Sequence, residues 1–201
     1  MAGRIVVLIS GSGTNMEALV EACRAGEVPG EVVAVIADRD CEGLRLAEKL
    51  SREAHLVDFS DYAEREQWSH ALRDRVRSYE PDLVVSAGFM RILAPVFVDA
   101  FPGRLINLHP ALLPAFAGAH GVRDALEHGV KVTGSTVHFV DHLVDHGPIL
   151  LQEAVEVREG DDVDTLHARI KTVEHRLLPR ACRLILEGKV AIEGTRVRVV
   201  H

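Results

Sequence analysis

The sequence predicts an α/β fold: a single open, mostly parallel sheet with helices on both faces and an antiparallel C-terminal portion. Three observations predict it. Strand-like and helix-like segments alternate from the first residues to Pro110. The strand-like segments are near-continuous apolar runs, as strands covered on both faces are. After Pro110 the pattern changes to two β-rich segments around a Gly-Pro turn, then one long helical stretch.

Each element has its own local reason. Residues 4–10 form an apolar strand. Residues 16–25 are helical by the spacing of Met16, Leu19, Val20 and Cys23. A second strand at 31–38, a helix at 42–52 and a short strand at 55–59 follow. Residues 61–79 read as a long polar-faced helix with Asp61 as its N-cap. Residues 82–88 are a buried strand, 95–100 a short helix and 104–109 the next strand. Residues 112–121 are a loop rich in Pro, Gly and Ala, and 122–128 a brief helix. Two strands, 130–140 and 149–157, flank a turn over 141–148. Residues 161–186 form a long helix, and 190–200 a closing strand or hairpin. No linker, repeat or low-complexity segment interrupts this Rossmann-like order, so one domain over residues 1–201 is expected.

The chain has 201 residues, enough for one full core, with 47% hydrophobic and 26% charged residues. A net charge of −7 disfavours a nucleic-acid binder, which needs a basic face. An anionic small substrate would have to be held by local donors. Cys23, Cys41 and Cys182 are scattered, with no C-x-x-C pair, which fits a reducing cytoplasm and not a disulfide framework. No apolar run approaches the roughly 20 residues of a membrane span, and no leader pattern precedes the first strand. A cytoplasmic enzyme with no membrane or nucleic-acid partner is the expectation, as monomer or homodimer.

The most informative stretch is Asn107-Leu-His-Pro110. Residues two apart on a strand share a face, so Asn107 and His109 project together where Pro110 ends the strand. A carboxamide that can bind an oxyanion beside an imidazole that can move a proton is the minimum kit for acyl-type transfer. Ser10-Gly-Ser-Gly-Thr-Asn15 joins the first strand to the first helix. Its amides would face the positive end of a helix dipole, a natural phosphate cradle. Met16 stands where a dinucleotide fingerprint needs its third glycine, and no P-loop lysine is present. The competing reading is a plain turn with Asn15 as N-cap. Phe89, Met90, Ile92 and Leu93 form an apolar lip around Arg91, also at the carboxyl end of a parallel strand, where open α/β sheets bind ligands. His138, His142 and His146 are spaced by four, but Gly147-Pro148 argues against the helix that would align them on a metal, so no metal is expected. One aspartate of that turn, Asp141 or Asp145, is a candidate to support a charged His109. Spacing does not choose between them.

Taken together these motifs resemble the phosphoribosylglycinamide formyltransferases, folate-dependent enzymes of purine synthesis within the wider 10-formyltetrahydrofolate-using superfamily. The likeness rests on Ile9-Ser-Gly-Ser-Gly-Thr-Asn15, Ala87-Gly-Phe-Met-Arg-Ile-Leu93, Asn107-Leu-His-Pro-Ala-Leu-Leu-Pro114, Gly118-Ala-His120, Val137-His-Phe-Val140, Asp145-His-Gly-Pro148 and Glu174-His175, in family order. It implies His109 as catalytic acid, Asn107 on the formyl oxygen and Asp145 as the aspartate that supports the histidine and relays a proton. It implies Gly13, Thr14 and Asn15 on the acceptor's phosphate, and Lys171, Thr172, Val173 and Glu174 at its glycinamide part. Arg65, Met90, Arg91, Ile92, Leu93, Asn107 and the run Asp141, His142, Leu143, Val144 and Asp145 would make the folate pocket. Residues 1–100 would then be the phosphate-binding half and 101–201 the catalytic and folate-binding half. The co-substrate implied is 10-formyltetrahydrofolate, with small-molecule partners and no metal. His146 departs from a glycine common at its position, and Ala117 from a frequent proline or arginine.

Three rival readings stay in view. Methionyl-tRNA formyltransferase shares the N-x-H-P-x-L-L-P block but carries a tRNA domain. Formyltetrahydrofolate deformylase shares the catalytic residue types but needs no sugar-phosphate cradle. A non-catalytic nucleotide-sensing module would leave the Asn, His and Asp residues without a purpose.

Overall fold

The structure, a computed structural model, describes residues 2–200. Five strands run parallel: β1 (Gly3–Ile9), β2 (Gly30–Ala37), β3 (Glu53–Leu56), β4 (Leu83–Ala87) and β5 (Leu105–His109). Two more, β6 (Val132–Phe139) and β7 (Ile149–Glu156), add antiparallel. The order is β3-β2-β1-β4-β5-β6-β7, and a separate hairpin pairs β8 (Val190–Glu193) with β9 (Arg196–Val199). The expected mixed sheet and its antiparallel C-terminal portion are therefore both present.

Alternate residues of each strand feed alternate faces. Ile5, Val7, Ile9, Val35 and Val85 pack against α1 (Thr14–Arg24) and α6 (Val163–Leu186), with α2 (Glu42–Lys49) at the margin. Val6, Leu8, Ile36, Val84 and Leu105 meet Trp68, Leu72 and Val76 of α3 (Arg65–Arg77) and Phe97 of α4 (Pro95–Val98). The short α5 (Gly121–Glu127) leans on α6 through Val122, Leu166, Ile170 and Val173.

Two local expectations need correction, and one competing reading falls. Asp61 does not cap α3. It closes a 3-10 turn, Phe59–Asp61, whose cap is Asp58 accepting from the Ser60 amide at 2.8 Å. The helix waits until Arg65 because the Trp68 indole must be buried while donating to the Val57 carbonyl at 2.8 Å. Asn15 is not the N-cap of α1 either. That place is taken by Gly13 at φ 78°, and no side chain caps the helix. The short third strand lies earlier than expected, at Glu53–Leu56, where it pairs with Ala34–Ala37 of β2.

Candidate active site

β5 ends beneath a polar cluster. Asn107 and His109 share the face of the sheet occupied by α3 and α4, and His138 stands directly across from Asn107 on β6. The Ser86 hydroxyl donates to Asn107 Oδ1 at 2.7 Å, which turns the Asn107 amide nitrogen outward. That nitrogen donates to Asp145 Oδ1 at 3.2 Å and lies 3.2 Å from His138 Nε2. His138 Nδ1 donates to the Phe139 carbonyl at 2.9 Å, so its Nε2 is free to accept from Asn107 when the ring is neutral.

His109 is almost fully buried and engaged at both ring nitrogens. Nε2 donates to the Phe116 carbonyl at 2.8 Å, and Nδ1 lies 3.4 Å from Asp145 Oδ2. Asp145 holds a left-handed backbone, φ 50°, which swings the β6–β7 turn back over the sheet face. Its Oδ2 also accepts the Gly118 amide at 2.8 Å. Burial opposes its ionisation, but His138, the Gly118 amide and His109 outweigh burial and lower its pKa. The choice the sequence left open is resolved in position: Asp145 faces the histidines. Asp141 instead accepts from the Leu143 amide at 2.9 Å and lies 2.7 Å from His146 Nδ1.

The glycine loop lies at the carboxyl end of β1. The first-turn amides of α1 have no intrahelical partners and no capping side chain, so they are available to an anion. A side chain at Gly13 would be strained and would force a shift: a Cβ would sit 2.9 Å from Gly43 Cα. The buried Asn15 donates through Nδ2 to Glu174 Oε2 at 2.8 Å, and its Oδ1 has no partner. Glu174 is 3% exposed, and burial raises its pKa despite Asn15, Lys171 and Ser135 nearby. Ser135 lies between Glu174 Oε1, at 3.5 Å, and the His109 carbonyl, to which it donates at 3.2 Å. The other two residues of that helical stretch turn elsewhere. Val173 packs in the α5–α6 core, and the exposed Thr172 bonds back to the Ala168 carbonyl at 3.2 Å.

Two apolar rims flank the cluster. Met90 and Ile92 are each 55% exposed, and Leu143 and Val144 are 61% and 51% exposed just before Asp145. Leu93 packs inward, and Arg91 donates to Asp38 at 2.8 Å. Arg65 stands exposed on the first turn of α3. His142 lies 2.7 Å from Asp99. His138, His142 and His146 therefore take three different partners. Among the described residues no three His, Cys, Asp or Glu side chains group as a metal site. Motif reading did not place Ser86, Phe116, Gly118, Ser135 or His138 in the site. His138 was within reach of sequence reasoning, because an antiparallel strand after β5 must set some residue opposite Asn107. The Phe116 carbonyl carries no side-chain signal.

The arrangement can bind a developing oxyanion with an amide and an imidazole, hold a proton between two histidines and a carboxylate, and seat an anion at a helix end. These features define an enzyme of the open α/β class with its site at the sheet's carboxyl edge. The formyl transferase family model matches residues 3–182, and the chain belongs to that family. It is 50% identical over 191 residues to phosphoribosylglycinamide formyltransferase of Mycobacterium tuberculosis, covering 95% of this chain and 88% of that protein. The Escherichia coli phosphoribosylglycinamide formyltransferase is 42% identical over 187 residues, covering 92% and 88%. The crystal structure of glycinamide ribonucleotide transformylase 1 from Symbiobacterium toebii superposes with a TM-score of 0.97 at 50% identity, covering 99% of this chain and 94% of that one. Among the described residues no helix is long and apolar enough to cross a membrane.

Proposed function

We propose that the protein moves the formyl group of 10-formyltetrahydrofolate onto the amine of phosphoribosylglycinamide, a step of purine biosynthesis, by direct attack and without a metal. The observation that carries this reading is the convergence of Asn107, His109 and Asp145, linked through Ser135 and Glu174 to Asn15 at an uncapped helix start, in a chain half identical to a phosphoribosylglycinamide formyltransferase.

The roles follow from the geometry. Attack of the amine on the formyl carbon puts negative charge on the formyl oxygen. Asn107 Nδ2 and a protonated His109 stabilise that charge. The His109 Nε2–H is given to the Phe116 carbonyl at rest, and the formyl oxygen takes the carbonyl's place. Asp145 stays ionised and supports the imidazolium through Nδ1. It also holds the water that carries a proton from the amine to the departing folate nitrogen. Losing one such oxyanion donor costs about 10²–10³ in rate. Gly13, Thr14 and Asn15 hold the acceptor's phosphate, Lys171 adds positive charge, and Glu174 meets the acceptor's glycinamide part. Arg65, Met90, Arg91, Ile92, Leu93 and the 141–145 rim take the folate. In this reading residues 1–201 are one formyltransferase unit that works in the cytoplasm.

The deciding assay follows folate product formed from 10-formyltetrahydrofolate spectroscopically, with and without phosphoribosylglycinamide. Product that appears only with the amine is the expected result. Equal product without it would make the protein a hydrolase and overturn the proposal.

A further inference from the structure

A buried acid at the end of β2 takes no part in the chemistry above. The Asp38 side chain is 0% exposed, and its Oδ1 has no hydrogen-bond partner. Its Oδ2 takes Arg91 Nε at 2.8 Å and, at 3.3 and 3.2 Å, Arg39 Nε and Nη2. A buried carboxylate with an orphaned oxygen is costly, and apolar packing of similar volume is often as stable. Stability is therefore a poor reason for an acid here. What the acid does hold is Arg91.

Arg91 lies in the middle of the exposed rim, between Met90 and Ile92. Its guanidinium sits 4.2 Å over the Phe59 ring, and the Phe59 amide donates to the Asp38 carbonyl at 2.9 Å. Phe59 meets Trp68 edge-on at 5.2 Å, and Trp68 stacks on Phe89 at 5.9 Å. The Met90 amide donates to Ser10 Oγ at 2.8 Å, and the Ala94 amide to Ser69 Oγ at 3.2 Å. The rim is thus pinned by the Phe89 ring, the Met90 amide, the Arg91 guanidinium and the Ala94 amide. Of these four ties, the one at Arg91 alone is ionic. It fixes the peptide that aims the side chains of Met90 and Ile92.

We propose that Asp38 is a positioning residue for the formyl donor: by clamping Arg91 over Phe59 it sets the rim on which the folate rests. The inference rests on reading that rim as the donor's site. It separates cleanly from the acceptor's contacts. Asn15 and Glu174 belong to α1 and α6, on the opposite face of the sheet from the Phe59–Trp68–Phe89 stack.

The test compares wild type, Asp38→Asn, Asp38→Glu and Arg91→Gln by steady-state kinetics and by emission of Trp68, the chain's single tryptophan. In Asp38→Asn the donor KM is expected to rise about tenfold, with kcat and the acceptor KM within about twofold. The Trp68 emission should shift in the free protein, because Phe59, which meets Trp68 edge-on, loses the guanidinium held over its ring. Asp38→Glu should return the donor KM to within about threefold of wild type. Arg91→Gln should raise the donor KM as Asp38→Asn does and move the same emission. If Asp38→Asn does not fold, the Trp68 emission of the free Arg91→Gln protein decides the matter, because it reads the loss of the Asp38–Arg91 tie and not the loss of an Arg91 contact with the folate. A donor KM within about twofold of wild type in Asp38→Asn would overturn the proposal whatever Arg91→Gln shows, and so would equal damage to both KM values and kcat. A wild-type protein that does not use the folate donor would instead refute the functional reading. The Trp68 shift would still report whether Asp38 places the rim.

Discussion

Asp145→Asn is the most searching single change, because it keeps the shape of the side chain and removes only charge and acceptor capacity. The carboxylate accepts the Gly118 amide at 2.8 Å and the Asn107 amide at 3.2 Å. At the 3.4 Å that separates it from His109 Nδ1, opposite unit charges attract by about 5 kcal/mol at an effective dielectric near 20. An asparagine has one oxygen for two donors. One of them, Gly118 N or Asn107 Nδ2, would face an N–H group and stay unpaired, at a cost of about 1–3 kcal/mol. Part of the lost attraction is recovered as the site relaxes. A fall in kcat of about 10²–10³ corresponds to about 3–4 kcal/mol and lies inside these bounds. The assay is kcat at saturating donor and acceptor, with near-ultraviolet circular dichroism to show an intact core. A kcat within about threefold of wild type would refute the role given to this carboxylate.

Further outcomes follow from the same geometry. Glu174 has a raised pKa, so its charge opposes folding. The stability of its neutral form is fully present below the ordinary value of 4.5 and is lost as pH rises through the higher folded value. Glu174→Gln should therefore raise the thermal midpoint at about pH 8, with the difference vanishing in acid, as calorimetry can show. Asp145 carries the opposite sign. Its contribution to stability holds above the ordinary 3.8 and is lost as pH falls through its lowered folded pKa. An acid titration followed by circular dichroism should show Asp145→Asn lacking that component. Gly13→Ala must hold φ 78° and bring a methyl within 2.9 Å of Gly43 Cα. It should lose about 1–2 kcal/mol in denaturant unfolding and raise the acceptor KM more than the donor KM.

Much of the fold was legible because the parallel strands are buried on both sides. Their runs, such as Ile5–Ile9 in β1, leave periodicity little to decide. Legibility failed where a distant partner set the outcome. The edge strand β3 has little apolar content to mark its ends, and its register is set by pairing with β2. The start of α3 follows from Trp68 reaching the Val57 carbonyl, a contact that no capping rule contains. The site divides in the same way. Asn107 and His109 were visible because they share one strand and one parity. Asn15 was open to reading as a cap as well as a phosphate contact because its partner, Glu174, lies 159 residues away. Asp141 and Asp145 could not be told apart by spacing, since the left-handed backbone at Asp145 aims it inward. The role of the Phe116 carbonyl as the resting partner of His109 is a main-chain property and leaves no trace in residue identity.

The central claim is that one buried imidazole, flanked by Asp145 and Asn107, stabilises the charge that develops during formyl transfer. Turnover of His109→Ala at saturating substrates tests it most directly. A loss of about 10²–10³ in kcat with the fold intact is the expected result. Turnover close to that of the unaltered protein would contradict it.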